Sequence, residues 1–469
     1  MNIVEQLKPF FEPKSIALIG VRMHVMELEF NILKFLLECG YKGALYPIHR
    51  RDSEIWGVKT YPSMKEIPRE VDLAVIATPR STVPSIVREC TEKGIKSIII
   101  ESQGFADAND EEGQKLQNVV LRIAEEGGAR ILGPNTLGTA NAFSNFSVSF
   151  AKQLDMQRIP IGVICQTGMF ISNSSQLKLL GKGIDLGNAC DIDCIECLEY
   201  FGQDPDIKLI VLHIEGMKEG RRFLEVSSRV AKKKPVLALK TGGSERAAKA
   251  ALSHTGSLVG RDDVWDAAFK QCGVTRVSSF GELSDMTKAF LHLPLMKGRE
   301  LGVISMSGGL GIMSLDACER CGLEMAKLSP ETERKLIEMS PPWMGIGNPV
   351  DLWPAILTSR RPLTEVIEAA LYSLLSDQNV NAVLLIAAAY FERLSTPLTK
   401  VVLEAANTFK DKPIVWWPYE GWMYQVYPSE LEEKVEKAGV AIFPTPEGAI
   451  RALAGLANYS EFRNRRSYL

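Results

Sequence analysis

The stretch "AALSHTGSLVG" (residues 250–260) places His254, one of five histidines in the chain, among Ala, Ser, Thr and Gly. From Thr241 to Gly260 there is hardly a large apolar side chain, so this segment can leave the protein surface at small cost in buried area. Lys240, Arg246, Lys249 and Arg261 give it positive charge suited to phosphate. A neutral imidazole, with an ordinary pKa of about 6.5, is a competent nucleophile toward phosphorus at neutral pH. It needs a carboxylate on its other ring nitrogen to fix the tautomer. Glu215, at the end of "IVLHIEG", is the candidate because that strand end should face the same cleft. The competing reading is a capping or solvent-facing histidine.

Two turns are built to hold an oxyanion. Gln166-Thr167-Gly168 and Ser307-Gly308-Gly309 each follow an apolar strand and open a helix. Glycine lets the backbone close on an anion, and the free N–H groups and dipole of a helix start favour phosphate. Tight strand–helix turns need small residues in any case, so either turn alone says little. Two equivalent turns point to a phosphoryl group held between two helix ends. A third constellation is weaker. Cys190, Cys194 and Cys197 in "NACDIDCIEC" have a spacing that can ligate an iron–sulfur cluster, but their Ile and Leu neighbours favour an amphipathic helix beginning near Asp191. Cys318 and Cys321 read the same way, and no metal site is expected.

The elements that must carry these residues alternate β and α, the pattern of a parallel sheet. "SIALIGV", "GALYPI", "LAVIAT", "SIIIES" and "ARILGP" read as five buried strands of a Rossmann-like unit. Two later units repeat one another: strand, Gly turn, helix and a Gly-Asn segment, then a buried strand ("IKLIVLHIEG", "VNAVLLIAAA") and a Lys-Pro strand ("KKKPVLALKTGG", "KDKPIVWWPYEG"). This is an internal duplication of a flavodoxin-like domain. The expected division is 1–146, 147–294 and 295–469.

Composition excludes several classes. A net charge of −3 implies no large basic surface for nucleic acid. No apolar run reaches the roughly 18 residues of a membrane helix, and the N-terminal residues lack a secretory pattern. Nine cysteines, odd in number and in apolar settings, fit reduced thiols in the cytoplasm.

"SHTGSLVG", "HIEGMKEGRRF", "GNACDIDCIECLEYFGQDPDIK", "GPNTLG", "GNPVDL" and "FPTPEGAIRALAGL" together resemble the α subunit of the nucleoside-diphosphate-forming acyl-CoA synthetases, relatives of succinyl-CoA synthetase, over essentially the whole chain. The resemblance implies an N-terminal Rossmann-like CoA-binding domain followed by two flavodoxin-like domains. It also implies an ADP-forming ligase reaction. Acyl-CoA and phosphate give acyl phosphate and CoA, His254 takes the phosphoryl group, and the loop swings to a site where ADP becomes ATP. Glu215 would orient His254, and Thr167-Gly168 with Gly308-Gly309 would hold the phosphoryl group. The nucleotide and its Mg belong in the family to an ATP-grasp domain for which this chain leaves no room, so a separate β subunit and an α2β2 assembly are expected.

CoA would lie along Gly20, Val21 and Arg22, Lys42, Pro47, His49 and Arg50, Thr78, Pro79 and Arg80, Ser102 and Gly104, and Pro134 and Asn135. The loop "IGVRMHVMELEFNIL" departs from the family pattern by losing its later glycine and gaining Met23 and Met26. That departure supports an alternative, a CoA or acyl-CoA sensor with reduced turnover; a lyase of the same superfamily ranks third. Trp416, Trp417, Tyr419, Trp422 and Tyr424 could line a pocket for a bulky acyl group, although ordinary packing explains them as well.

Overall fold

A computed structural model describes residues 2–21, 31–108, 110–149, 157–243, 261–388, 397–418 and 429–465. The chain divides into two compact units, Met1–Ser278 and Ser279–Leu469.

The first unit holds two large sheets and a small antiparallel pair, Glu54–Ile55 with Val58–Lys59. One is formed by β1 (Ser15–Ile19), β2 (Ala44–Ile48), β3 (Leu73–Ile76), β4 (Ser97–Ile100) and β5 (Arg130–Leu132), all parallel, in the order β2-β1-β3-β4-β5. The other comprises β6 (Thr139–Asn141), β7 (Phe146–Ser147), β8 (Ile161–Cys165), β9 (Lys182–Asp185), β10 (Leu209–Ile214), β11 (Val236–Lys240) and β12 (Val274–Val277), in the order β12-β11-β10-β8-β9-β6-β7. Its last two pairings, β9 with β6 and β6 with β7, are antiparallel. Strands β1, β8 and β10 are buried along their whole length, as continuous apolar runs covered by helices on both faces must be. The second sheet thus begins at Thr139, within the segment assigned to the first domain.

The second unit has one sheet: β13 (Glu300–Ser305), β14 (Glu324–Met325), β15 (Val350–Asp351), β16 (Ala382–Ile386), β17 (Ile414–Trp417) and β18 (Val440–Ile442), in the order β14-β13-β16-β17-β18 with β15 beside β13. The parallel cores β9-β8-β10-β11-β12 and β14-β13-β16-β17-β18 follow one winding, first strand in the middle and third on its other side. The repeat read in the sequence is therefore also a repeat of topology, and in such sheets the ligand crevice opens where the winding reverses, beside the first strand. The helix Phe280–His292 packs on Pro446–Asn464 and belongs with this unit, ahead of the expected boundary at 295.

Within the first unit, charge and aromatic contacts lock the two sheets together. Arg130 donates to Asp191 at 2.9 Å, to Glu196 at 2.8 Å and to Gln6 at 2.7 Å. Phe11, at the end of the helix Ile3–Phe11, stacks on Tyr200 with centroids 4.8 Å apart. Lys182, at the start of β9 and 1 % exposed, meets Asp204 at 2.8 Å, Asp206 at 2.9 Å and Glu12 at 3.2 Å. Removing that cation would leave the buried Asp204 carboxylate without its ion-pair partner. Lys182→Met should cost about 3–5 kcal/mol, read as the loss in urea unfolding free energy; a loss below about 1 kcal/mol would show that the pair is solvated.

Candidate functional site

The winding of the second sheet reverses between β8 and β10, and there the structure brings three predicted residues together. Gln166 follows β8, and its side-chain carbonyl accepts from the backbone N–H of Glu215 at 2.6 Å and of Gly216 at 3.2 Å. Its amide donates back to the Gly216 carbonyl at 3.1 Å. One glutamine thus fixes the backbone of the turn after β10 that carries Glu215, a residue 8 % exposed. The helix Gly168–Gln176 starts at the same edge, and a Cβ on Gly168 would stand 2.2 Å from Leu137 Cγ, so glycine there is a packing requirement. Thr167 accepts the Phe170 N–H through its carbonyl at 3.0 Å, closing the first turn.

The segment that should carry His254 leaves from the neighbouring strand. Thr241, directly after β11, donates its N–H to Ile214 at 3.0 Å, so the segment is rooted beside Glu215. Lys240 lies 5.4 Å above the Trp265 ring, and burial, with Arg276 opposing and Asp262 and Glu215 supporting its charge, lowers its pKa. His254 itself, with Arg246 and Lys249, lies outside the described residues.

Two groups at this site were missed in the sequence. Asp185, at the end of β9 and 1 % exposed, accepts the Leu137 N–H at 2.6 Å, and Thr136 donates to its backbone carbonyl. It pins the "GPNTLG" turn against the second sheet. His213 is 3 % exposed and stacks on Phe170, with centroids 4.8 Å apart and planes 26° apart. It sits on β10 two residues before Glu215, which follows the strand end at Ile214; that proximity was the available signal.

Burial, and then the charge of Lys240, pulls the His213 pKa down to about 4. The unfolded chain, whose imidazole titrates at about 6.5, therefore takes up a proton first as the pH falls. The His213 contribution is intact above that value and is lost progressively down to about 4. Asp185 and Glu101 act with opposite sign: burial raises their carboxyls to about 6 and about 8, so the native state binds those protons first and is stabilised by acid. The difference between variant and wild type isolates His213. His213→Phe should gain about 2 kcal/mol relative to wild type between pH ~7.5 and ~5, by equilibrium urea unfolding; parallel pH profiles would contradict a buried neutral ring.

At the first sheet, the carboxyl ends of β1 to β5 carry most of the residues expected at CoA. Gly20 has φ +98°, and a Cβ there would lie 2.2 Å from the Ala77 carbonyl oxygen, so β1 and β3 approach as only glycine permits. Val21 follows it. Pro47 is buried in β2, and His49 and Arg50 come next, His49 Nδ1 accepting the Asp52 N–H at 3.0 Å. Ser102 Oγ donates to the Thr78 carbonyl at 2.5 Å, tying β4 to β3 beside Pro79. Asn135, after the Gly133–Pro134 cis peptide, donates its N–H to Ser102 at 3.0 Å.

Two of the expected cations behave differently. Arg80 donates to the Gly104 carbonyl at 2.6 Å and pairs with Asp110 at 3.1 Å and Glu112 at 3.0 Å, so its guanidinium is engaged within the protein. Lys42 is exposed just before the amino end of β2. It is separated from the carboxyl edge by the length of that strand, roughly 16 Å. Arg22 lies outside the described residues.

In the second unit, Ser307 precedes the 14-residue helix Gly308–Cys321 without a side-chain bond to its first turn, and its N–H is held by Ser305 Oγ at 3.1 Å. A Cβ on Gly308 would come 2.8 Å from Asp351 Oδ2, and Gly309 opens to solvent beside it. Asn348 of "GNPVDL" staples the strands instead of facing a ligand, accepting from Val303 and donating to Leu301 and Ala326. Trp416 is fully buried and donates to Ala387 at 3.0 Å, which makes it core; Tyr419, Trp422 and Tyr424 lie outside the described residues. Cys194 and Cys197 lie in the first turn of the helix Cys194–Gln203, where burial pushes Cys194 up to about 12 and Cys197 well above its ordinary value. Among the described residues no three His, Cys, Asp or Glu side chains are placed to hold a metal, and no helix is long and apolar enough to cross a membrane.

Residues 14–142 match the CoA binding domain family, and residues 159–290 match the succinyl-CoA ligase-like flavodoxin domain family. The chain is 34 % identical over 467 residues to the α subunit of ADP-forming acetate–CoA ligase I from Pyrococcus furiosus, covering 97 % of this chain and 98 % of that one. The chain belongs to the ADP-forming acyl-CoA synthetase family. A second relative, ADP-forming acetate–CoA ligase II of Archaeoglobus fulgidus, is 34 % identical over 98 % of this chain and 68 % of its own length. Among solved structures, a dinucleotide-forming acetyl-coenzyme A synthetase from Candidatus Korarchaeum cryptofilum, in complex with phosphate and ADP, superposes with a TM-score of 0.84. It is 28 % identical and covers 97 % of both chains. Membership of this synthetase family makes the protein a ligase and places the CoA-binding fold at the first sheet.

Proposed function

We propose that this chain is the α subunit of an ADP-forming acyl-CoA synthetase that works through an acyl phosphate and a phosphohistidine. The observation that carries this reading is the clamp of Gln166 on Glu215 beside the start of the helix Gly168–Gln176, with the His254 segment rooted at the adjacent strand. A phosphate oxygen attacks the thioester carbonyl, the C–S bond breaks, and the phosphate proton passes to the leaving thiolate. An imidazole nitrogen of His254 then attacks phosphorus and expels the carboxylate. Glu215 accepts from the other ring nitrogen and stabilises the charge that the ring gains. ADP takes the phosphoryl group in the last step, and every step reverses for thioester synthesis. Donors fixed beforehand at Thr167-Gly168 would stabilise the charge on the transferring group. We assign the Ser307-Gly308-Gly309 turn the equivalent duty in the last of the three domains.

The nucleotide site, with Mg, is assigned to a separate ATP-grasp β subunit in an α2β2 assembly. Relatives named as α subunits and matched over nearly their full length support that assignment. Nine free thiols, seven of them buried, support a reducing cytoplasm. Glycine at position 20 and the hydroxyls of Thr78 and Ser102 fit a CoA chain lying across the carboxyl edge of β1, β3 and β4. Isothermal titration with CoA, in the presence of the β subunit, should give saturable binding; no heat would contradict the CoA assignment. Binding without turnover would favour the sensor reading.

A further inference from the structure

His213 is a buried histidine that the reaction scheme leaves unused. Its ring touches both halves of the machinery. One face stacks on Phe170, in the first turn of the helix that opens at Thr167-Gly168. Its Nε2 stands 3.4 Å from the Thr241 hydroxyl, and Thr241 is the residue from which the His254 segment departs. Among the described residues nothing hydrogen-bonds its Nδ1, although that atom is fully buried. A polar atom kept in such a place costs stability, and a ring of this size could be replaced by phenylalanine without that cost. The depressed basicity of the ring keeps it neutral at pH 7, so it adds no charge beside Lys240 and Glu215.

We propose that His213 is a positioning residue for phosphoryl transfer, joining the first turn of the phosphate helix through Phe170 to the root of the His254 segment through Thr241. The hydroxyl–imidazole contact sets where the segment leaves β11. The stack carries the same ring to the turn where the phosphoryl group would be held. Loss of either contact lets donor and acceptor lose their relative placement, and small displacements of reacting groups cost large factors in rate. This inference rests on the phosphohistidine reading above.

The test uses the full chain with acetyl-CoA and radiolabelled inorganic phosphate, following acid-labile, base-stable label by rapid quench. His213→Phe keeps the stack and removes the contact with Thr241; Thr241→Val removes it from the other side. Each should slow label formation about 10-fold or more, with the acetyl-CoA concentration for half-saturation within twofold of wild type and a melting temperature at pH 7 no lower than that of wild type. The double variant should be no slower than either single one, because both substitutions remove one contact. A merely structural histidine would lower melting temperature and label together, and that result overturns the proposal. So do additive single effects, or label forming at the wild-type rate in His213→Phe. Absence of label in wild type contradicts the phosphohistidine reading itself, an outcome distinct from normal wild-type label with unaffected variants.

Discussion

Replacing His254 with alanine should stop net ATP formation from acetyl-CoA, ADP and phosphate while leaving the first chemical step in place. The scheme separates two events by residue. Attack of phosphate on the thioester needs the oxyanion held at a helix start, which the turn at Thr167-Gly168 offers and the imidazole does not. Transfer from the acyl phosphate needs a nucleophile on the enzyme, and His254 is the proposed one. Net turnover should fall by at least ~10³-fold, the usual scale for losing a covalent nucleophile. Free thiol and acetyl phosphate should still appear, in an amount that no longer depends on ADP. Turnover within tenfold of wild type would show that phosphate reaches ADP without this histidine.

The second large effect is expected at Glu215. Glu215→Gln preserves size and leaves the backbone clamp intact, since Gln166 bonds the N–H groups of Glu215 and Gly216 and the carbonyl of Gly216. What it removes is the negative charge that would fix the imidazole tautomer and stabilise the ring as it becomes cationic. Orienting carboxylates of this kind are worth about 10²–10⁴ in rate. Phosphoenzyme formation should fall by that factor, with CoA affinity unchanged because the proposed CoA residues lie on the first sheet. Glu215→Asp, which keeps the charge on a shorter arm, should recover part of the loss. A fall of less than about threefold in Glu215→Gln would assign the carboxylate to packing.

Much of the fold was legible because its physical demands act on residue type locally. Buried parallel strands require unbroken apolar runs, and "SIALI" and "LIVLHI" are such runs, with a strand at each. Gly20 and Gly168 were legible for a related reason: a close approach excludes every side chain, and glycine alone marks it. The same locality limits the reading of the site. Arg80 was expected at CoA on the family resemblance, and its carboxylate partners Asp110 and Glu112, which come some thirty residues later in the chain, engage it instead. Lys42 was expected there on the same resemblance, and a sequence shows that a residue borders a strand more readily than it shows which end of the strand the residue is on. His213 was passed over because one buried histidine in an apolar strand reads as core until its neighbours Phe170 and Thr241 are placed around it. The division into domains blurs for a physical reason too. β6 pairs with β9 in the second sheet and β7 pairs with β6, and their place follows from those pairings and not from any change in composition at 146.

The most direct measurement of the central claim is a labelling experiment on this chain without ADP. Wild type and His254→Ala are incubated with acetyl-CoA and radiolabelled inorganic phosphate, and the protein-bound label is tested for stability in acid and base and located by peptide mapping. The account predicts base-stable, acid-labile label on the peptide containing His254 in wild type, discharged on adding ADP with the β subunit, and none on the variant. Label elsewhere, equal label in both proteins, or no label in wild type would contradict it.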